Sequence, residues 1–268
     1  MPSDAAPPAY SAAPAASMYT PENMVRDDDA YYFLFLFDTI FLIDDSSSML
    51  GPRWREVQAA LQQITPVCTS HDDDGVDLYF MNHQSQNSSL SKASSGYYGL
   101  TDPAAVDDLF RAVRPCGPTP TRSRIEHILE PYFDILARAE DVQDVKPLNL
   151  IVITDGMPGP ARSSGNPHLP EPAIVGYARR LDELGAPDYQ VGIQFIQVGD
   201  DPLATLSLQE LDDGLSQKHG VRDMVDTLKY GDGNYKTLTA DEILKAVLGG
   251  VNKRLDNQRA RSGVSTMR

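Results

Sequence analysis

The stretch FLIDDSSSML, residues 41–50, contains side chains that can bind a hard cation. A run of apolar residues stops there at two carboxylates and three hydroxyls: Asp44, Asp45, Ser46, Ser47 and Ser48. Ser and Asp are also what turns and helix starts prefer, so this stretch taken by itself is better explained as a polar turn. Asp44, Ser46 and Ser48 alternate along the chain, however, and alternate side chains of an extended segment can point to one side.

Two later segments add oxygen ligands of the same kind. Thr119 lies in CGPTPT, a loop whose two prolines restrict the backbone, and Asp155 ends the apolar run LNLIVITD. Ligands of open α/β sheets gather at the carboxyl ends of the strands, so the three segments are expected to meet. Two carboxylates and three hydroxyls, with no His or Cys, suit Mg²⁺ or Mn²⁺, whereas Ca²⁺ fits less well. The predicted metal ligands are Asp44, Ser46, Ser48, Thr119 and Asp155.

The elements that must position these residues follow from the apolar pattern. Continuous apolar runs predict strands at residues 31–43, 76–81, 148–154, 191–198 and 224–228. Apolar faces at helical spacing predict helices around residues 54–64, 106–113, 125–136, 173–184, 202–218 and 243–255. Residues 82–99, rich in Ser, Asn and Gly, are interpreted as a long surface loop. This alternation predicts an α/β fold with a doubly wound, mostly parallel sheet flanked by helices.

Composition divides the chain into a folded domain and two tails. Residues 1–28 are rich in Ala, Pro and Ser and show no periodicity, which predicts a disordered segment. Residues 29–256 carry the predicted elements and form the predicted domain. Residues 257–268 are polar and mildly basic and are interpreted as a C-terminal tail.

The three oxygen-rich segments, in this order and on these elements, resemble the von Willebrand factor A (VWA) domain. The resemblance consists of D-x-S-x-S at residues 44–48, a threonine at 119 and an aspartate in ITDG at 155, and it extends over residues 35–255. It implies a metal-ion-dependent adhesion site (MIDAS), at which the cation keeps one coordination position open for a glutamate or aspartate of a partner protein. The expected function is therefore divalent-cation-dependent protein binding, without catalysis.

Two positions of the first motif depart from the family pattern. The family usually has glycine where this chain has Asp45 and Ser47, and Gly117-Pro118 replaces the usual pair of glycines. None of these changes removes a metal ligand. An Asp45 that faced the metal would raise cation affinity and weaken the attraction for an anionic partner. The sequence leaves open whether Asp45 faces the metal or the solvent.

Two other functions remain as alternatives. A metal-dependent hydrolase of the haloacid dehalogenase type also has an aspartate after its first strand, but it needs a second carboxylate two residues later, where this chain has Ser46. The glycine-rich phosphate-binding motifs are also absent from the sequence. The other alternative is a structural scaffold whose cation does not exchange ligands.

Charge and targeting signals limit the expected partners and location. The formal net charge is −15, from 38 acidic and 23 basic residues, which argues against binding to nucleic acid or to an anionic membrane surface. The longest apolar run is too short to span a bilayer, and the first 20 residues lack the pattern of a secretory signal. We therefore expect an intracellular, cytoplasmic protein. Cys68 and Cys116 are too few for a disulfide framework, and the sequence leaves open whether they pair.

Overall fold

Strands and helices alternate in the computed structural model, which describes residues 37–71, 75–156 and 166–229, with residues 68–71 and 229 described only as backbone. The strands are β1 Asp38–Ile43, β2 Val76–Phe80, β3 Tyr97–Leu100, β4 Leu148–Thr154, β5 Val191–Gln197 and β6 Val225–Lys229. The helices are α1 Pro52–His71, α2 Pro103–Ala112, α3 Thr121–Arg138, α4 Glu171–Glu183 and α5 Pro202–His219. Two short 3₁₀ turns, Ser47–Met49 and Val142–Asp144, lie between them.

The six strands form one sheet in the order β3-β2-β1-β4-β5-β6. Every neighbouring pair is parallel except β2 and β3, which are antiparallel. The strand order therefore reverses between β1 and β4, and doubly wound sheets bind their ligands in the crevice at such a reversal. Residue 43 at the end of β1 lies opposite residue 153 in β4, so the segments that follow these two strands start side by side. The predicted α/β fold with a doubly wound, mostly parallel sheet is confirmed.

Each face of the sheet carries its own hydrophobic core. Ile40 and Leu42 of β1 pack into the cluster formed with α3, α4 and α5, while Phe41 and Ile43 pack into the cluster formed with α1 and α2. Both faces of β1 and β4 are buried, which explains why their sequences read as continuous apolar runs. Trp54 of α1 lies in the second core, and its apolar stripe has the core role that the sequence predicted.

The edge strand β3 corrects one prediction. The sequence predicts a surface loop at residues 97–99, but Tyr97–Leu100 pairs antiparallel with β2 at the edge of the sheet. All four of its residues are only half-buried, and they include Gly99, so the strand lacks the hydrophobic signal of its neighbours. The rest of the predicted loop, residues 82–96, is irregular.

Several predictions lie outside the described residues, namely the two tails, the strand start at 31–36 and the helix at 243–255. Among the residues that the structure describes, no helix is both long enough and apolar enough to cross a membrane. Cys116 is an exposed free thiol. Cys68 is among the residues that the structure describes only as backbone.

Candidate metal centre

The two predicted carboxylate ligands lie at the point where the strand order reverses. Asp44 directly follows β1, and Asp155 directly follows β4. The backbone N–H of Asp44 donates to the carbonyl oxygen of Ile153 at 2.9 Å, which extends the ladder between the strands by one step. Both residues are buried, with 0% and 4% of their surface exposed. The parallel pairing of β1 with β4 thus brings together two acidic residues that are 111 positions apart in the sequence.

The carboxylate of Asp44 is held by two neighbouring donors. Thr154 Oγ1 donates to Asp44 Oδ2 at 2.6 Å, and the backbone N–H of Ser46 donates to Oδ1 at 2.8 Å. Burial raises the pKa of Asp44 from 3.8 to about 6, the hydrogen bonds from Thr154 and Ser46 act in the lowering direction, and the negative charge of Asp155 raises it further. A cation beside this group would favour its ionised form.

A chain of hydroxyls connects the first segment to Asp155. Ser46 Oγ and Ser48 Oγ share a hydrogen bond at 3.0 Å, and Ser48 Oγ donates to Asp155 Oδ1 at 2.8 Å. The 3₁₀ turn that carries Ser48 is anchored by Met49, whose side chain is fully buried in the core of α1 and α2. Asp44, Ser46, Ser48 and Asp155 therefore form one hydrogen-bonded group. Their role as metal ligands stays a prediction.

Thr119 lies in a loop that is bound to this group through the backbone. The N–H of Cys116 donates to the carbonyl oxygen of Asp45 at 2.7 Å, and the N–H of Ser47 donates to that of Gly117 at 3.2 Å. Thr119 follows two residues later and is buried. Its hydroxyl makes no hydrogen bond to the other four predicted ligands, all of which the structure describes. The structure thus brings the loop of Thr119 to the site without joining its hydroxyl to the group.

Asp45 faces neither the solvent nor the other carboxylates. It is 1% exposed, its Oδ1 accepts from the N–H of Asn82 at 2.7 Å, and its Oδ2 accepts from the N–H of His83 at 2.8 Å. Both oxygens therefore hold the loop that follows β2. Ser47 also has a structural role, because its hydroxyl accepts from the N–H of Gly117 at 3.1 Å. Asp45 and Ser47 thus tie the neighbouring loops to the segment after β1.

Arg53 is a further member of the site that carried no signal in the sequence. It lies in the first turn of α1, and its Nη1 forms an ion pair with Asp155 Oδ2. The same nitrogen donates to the carbonyl oxygen of Ser48 at 3.2 Å. An arginine five residues after Ser48 is unremarkable in a sequence, because the direction of its side chain depends on how α1 leaves the loop. The carboxylate of Asp155 thus lies between a hydroxyl and a guanidinium group.

The donor set fits a hard divalent cation. The described residues contain no group of three or more His, Cys, Asp or Glu side chains placed to hold a metal, so a cation here depends on hydroxyl and water oxygens beside two carboxylates. Oxygen-only coordination with several water ligands is what Mg²⁺ prefers. Ser46, Ser48, Thr119, Asp44 and Asp155 would hold it, directly or through water.

Cation affinity is expected to depend on pH because of Asp44. A cation binds the ionised carboxylate, and protons compete for it below its pKa of about 6. Affinity for Mn²⁺ should therefore fall about tenfold between pH 7.5 and pH 5, and should stay constant between pH 7 and pH 8. Titration calorimetry at these pH values measures the affinity for Mn²⁺. An affinity that does not change between pH 7.5 and pH 5 would contradict the assignment of Asp44 as a ligand.

Comparison with protein-family models and with curated proteins does not assign a function to the site. No protein-family model matches the chain, and a search of curated proteins finds no match. The sheet order and the helices on both faces place the chain in the class of doubly wound α/β proteins.

Proposed function

We propose that the chain is a VWA-like domain that binds a partner protein through Mg²⁺ or Mn²⁺. The cation would be held by Asp44, Ser46, Ser48, Thr119 and Asp155, and an acidic residue of the partner would complete its coordination. The observation that carries the proposal is the connected group of Asp44, Ser46, Ser48 and Asp155 at the reversal of strand order. The intracellular location expected from the sequence is part of the same proposal.

The charges around the group support binding of an anionic partner. Asp44 and Asp155 together balance the two positive charges of a divalent cation, and Asp45 is kept away from it by its bonds to the loop after β2. An incoming carboxylate would therefore not meet an excess of negative charge at the cation. Hydroxyl ligands add no charge. A cation held partly by hydroxyls therefore attracts an anionic partner more strongly than a cation held only by carboxylates does.

Catalysis has less support from the same geometry. A hydrolase of the haloacid dehalogenase type needs an acid and base two residues after its nucleophile, and Ser46 at that position instead hydrogen-bonds to Ser48. Ser46 cannot exchange protons near neutral pH as a carboxylate does. We therefore propose binding without catalysis.

A pull-down in Mg²⁺ and in EDTA tests the proposal. Wild type, Asp155→Ala and Asp134→Ala are immobilised, and retained proteins are identified by mass spectrometry. Asp134 is an exposed aspartate of α3 and controls for the loss of a negative charge. We expect the same proteins to be retained by wild type and Asp134→Ala in Mg²⁺, and to be lost in EDTA and with Asp155→Ala.

Calorimetry with Mg²⁺ and Mn²⁺ separates the alternatives. Cation binding without any cation-dependent retention would favour the scaffold. Absence of cation binding by the wild type would contradict the proposal. Phosphate release from a generic phosphate ester that is lost in Asp44→Ala would favour the hydrolase.

A further inference from the structure

Arg53 and Ser48 together occupy both oxygens of the Asp155 carboxylate. Ser48 Oγ donates to Oδ1, and the guanidinium of Arg53 pairs with Oδ2. The side chain of Asp155 is 3% exposed, whereas that of Arg53 is 37% exposed. A buried carboxylate is costly unless a charge or hydrogen bonds compensate it. Arg53 therefore supplies the positive charge for one of the two acidic residues at the candidate metal centre.

Three elements hold the guanidinium of Arg53 in this place. The residue itself belongs to α1, and its Nη1 also donates to the carbonyl oxygen of Ser48 in the turn after β1. Gly199, two residues after the end of β5, has a φ of +85°, and a Cβ added to it would lie 3.0 Å from Arg53 Nε. The backbone after β5 therefore lies close to the guanidinium, which would have to shift by a few tenths of an ångström to accommodate a side chain at this position. Arg53 is enclosed on this side, although part of it remains accessible.

We propose that Arg53 is an internal counter-cation that competes with the divalent cation for the carboxylate of Asp155. The inference rests on the proposed cation site. A guanidinium and a divalent cation repel each other, and both are attracted by the same carboxylate. Arg53 therefore lowers the cation affinity of the site and sets the concentration at which the cation binds. Arg53 is a positioning residue, because it acts through Asp155.

The same arginine favours an anionic partner once the cation is bound. Asp44 and Asp155 balance the charge of a divalent cation, so the guanidinium leaves the loaded site with one net positive charge. Its exposed part can donate a second hydrogen bond to a carboxylate at the open coordination position, since a guanidinium carries five N–H donors. Arg53 thus lowers the affinity of the site for the cation and raises the affinity of the cation-bound site for an anionic partner.

Titration with Mn²⁺ alone tests the competition. Arg53→Gln is compared with wild type and with Arg55→Gln, a matched control in which an exposed arginine of the same helix is neutralised. Removing a positive charge next to a ligand carboxylate should increase Mn²⁺ affinity by roughly tenfold, as a neighbouring charge shifts proton affinity by a comparable factor. Arg55→Gln should bind as the wild type does. Arg53→Met, which keeps an aliphatic stem, gives the same test should Arg53→Gln not fold.

Melting temperature in EDTA provides a second readout. Arg53→Gln leaves the buried Asp155 without its counter-charge, so it should melt lower than Arg55→Gln in EDTA. Added Mn²⁺ should remove this difference, because the cation then compensates Asp155. A role of Arg53 in packing alone would lower the melting temperature equally with and without Mn²⁺, and this result would overturn the inference.

The outcomes distinguish the inference from the proposed function. If the wild type binds Mn²⁺ and neither Arg53→Gln nor Arg53→Met binds it more tightly, the inference is overturned and the proposed function stands. If only the two Arg53 variants bind Mn²⁺, the inference is supported and the cation-dependent function is overturned, because Arg53 then prevents the cation from binding. If no variant binds, both are overturned.

Discussion

Asp44→Asn is expected to abolish cation binding and, in EDTA at pH 7.5, to raise the melting temperature. The pKa of Asp44 in the folded protein is about 6, above the ordinary aspartate value of 3.8, because the carboxyl group is buried. A group whose folded-state pKa is raised stabilises the fold below its unfolded pKa, and this stabilisation is lost as pH rises through the folded pKa. At neutral pH the ionised Asp44 therefore costs about 3 kcal/mol, a cost that the neutral asparagine avoids.

Part of this gain is offset by lost hydrogen bonds. Thr154 and Ser46 donate to the two different oxygens of Asp44, and an asparagine has only one oxygen to accept from them. One lost bond costs about 1 kcal/mol, so the net gain is about 2 kcal/mol. In a domain of this size that corresponds to an increase of roughly 4–8 °C.

Melting curves of wild type and Asp44→Asn in EDTA and in Mg²⁺ test both parts of this prediction. Mg²⁺ should raise the melting temperature of the wild type and leave Asp44→Asn unchanged. The advantage of Asp44→Asn in EDTA should vanish as pH falls from 6 towards 4, where the wild-type carboxyl group is protonated as well. Asp134→Asn on the exposed side of α3 is the control and should change neither response. An Asp44→Asn variant that melts below the wild type in EDTA, or that responds to Mg²⁺, would refute the prediction.

The central strands and the pair of carboxylates were predictable from the sequence. β1 and β4 are buried on both faces, and such strands read as uninterrupted apolar runs; the bounds predicted for β4 agree with those observed. The rule that ligands gather at carboxyl ends of parallel strands then brings Asp44 and Asp155 together.

The orientation of side chains within the site was not predictable. Asp44 and Asp45 are identical in type and adjacent, and only the turn of the backbone after β1 decides which of them lies beside Asp155. The partners of Asp45 are backbone N–H groups more than 35 residues away, and a backbone group carries no residue-specific signal. The position of Arg53 depends on the angle at which α1 leaves the loop, which is a tertiary property. β3 was missed because its four residues are only half-buried and include Gly99, so its sequence forms neither an apolar run nor an alternating pattern.

Asp45→Ala is expected to lower the free energy of unfolding by about 3 kcal/mol, in EDTA and in Mg²⁺ alike. Its carboxylate accepts from the backbone N–H groups of Asn82 and His83, and an alanine leaves both donors without this partner. Its charge also acts on Arg124, whose pKa is lowered by burial and raised in part by Tyr79 and Asp45. Asp45→Ala therefore removes the two hydrogen bonds from backbone N–H groups, a longer one from the Asn82 side chain at 3.4 Å, and a counter-charge.

Urea unfolding of Asp45→Ala, Asp45→Gly and Ser47→Ala tests this structural role. Asp45→Gly should destabilise at least as much as Asp45→Ala, because glycine also removes the carboxylate and gives the unfolded chain more conformational freedom. Ser47 is exposed, so Ser47→Ala should cost only about 1 kcal/mol. Mn²⁺ affinity of the folded variants should remain close to that of the wild type, because both oxygens of Asp45 are directed to backbone donors. If Asp45→Gly were as stable as the wild type, or if its Mn²⁺ affinity fell sharply, Asp45 would instead be part of the cation site.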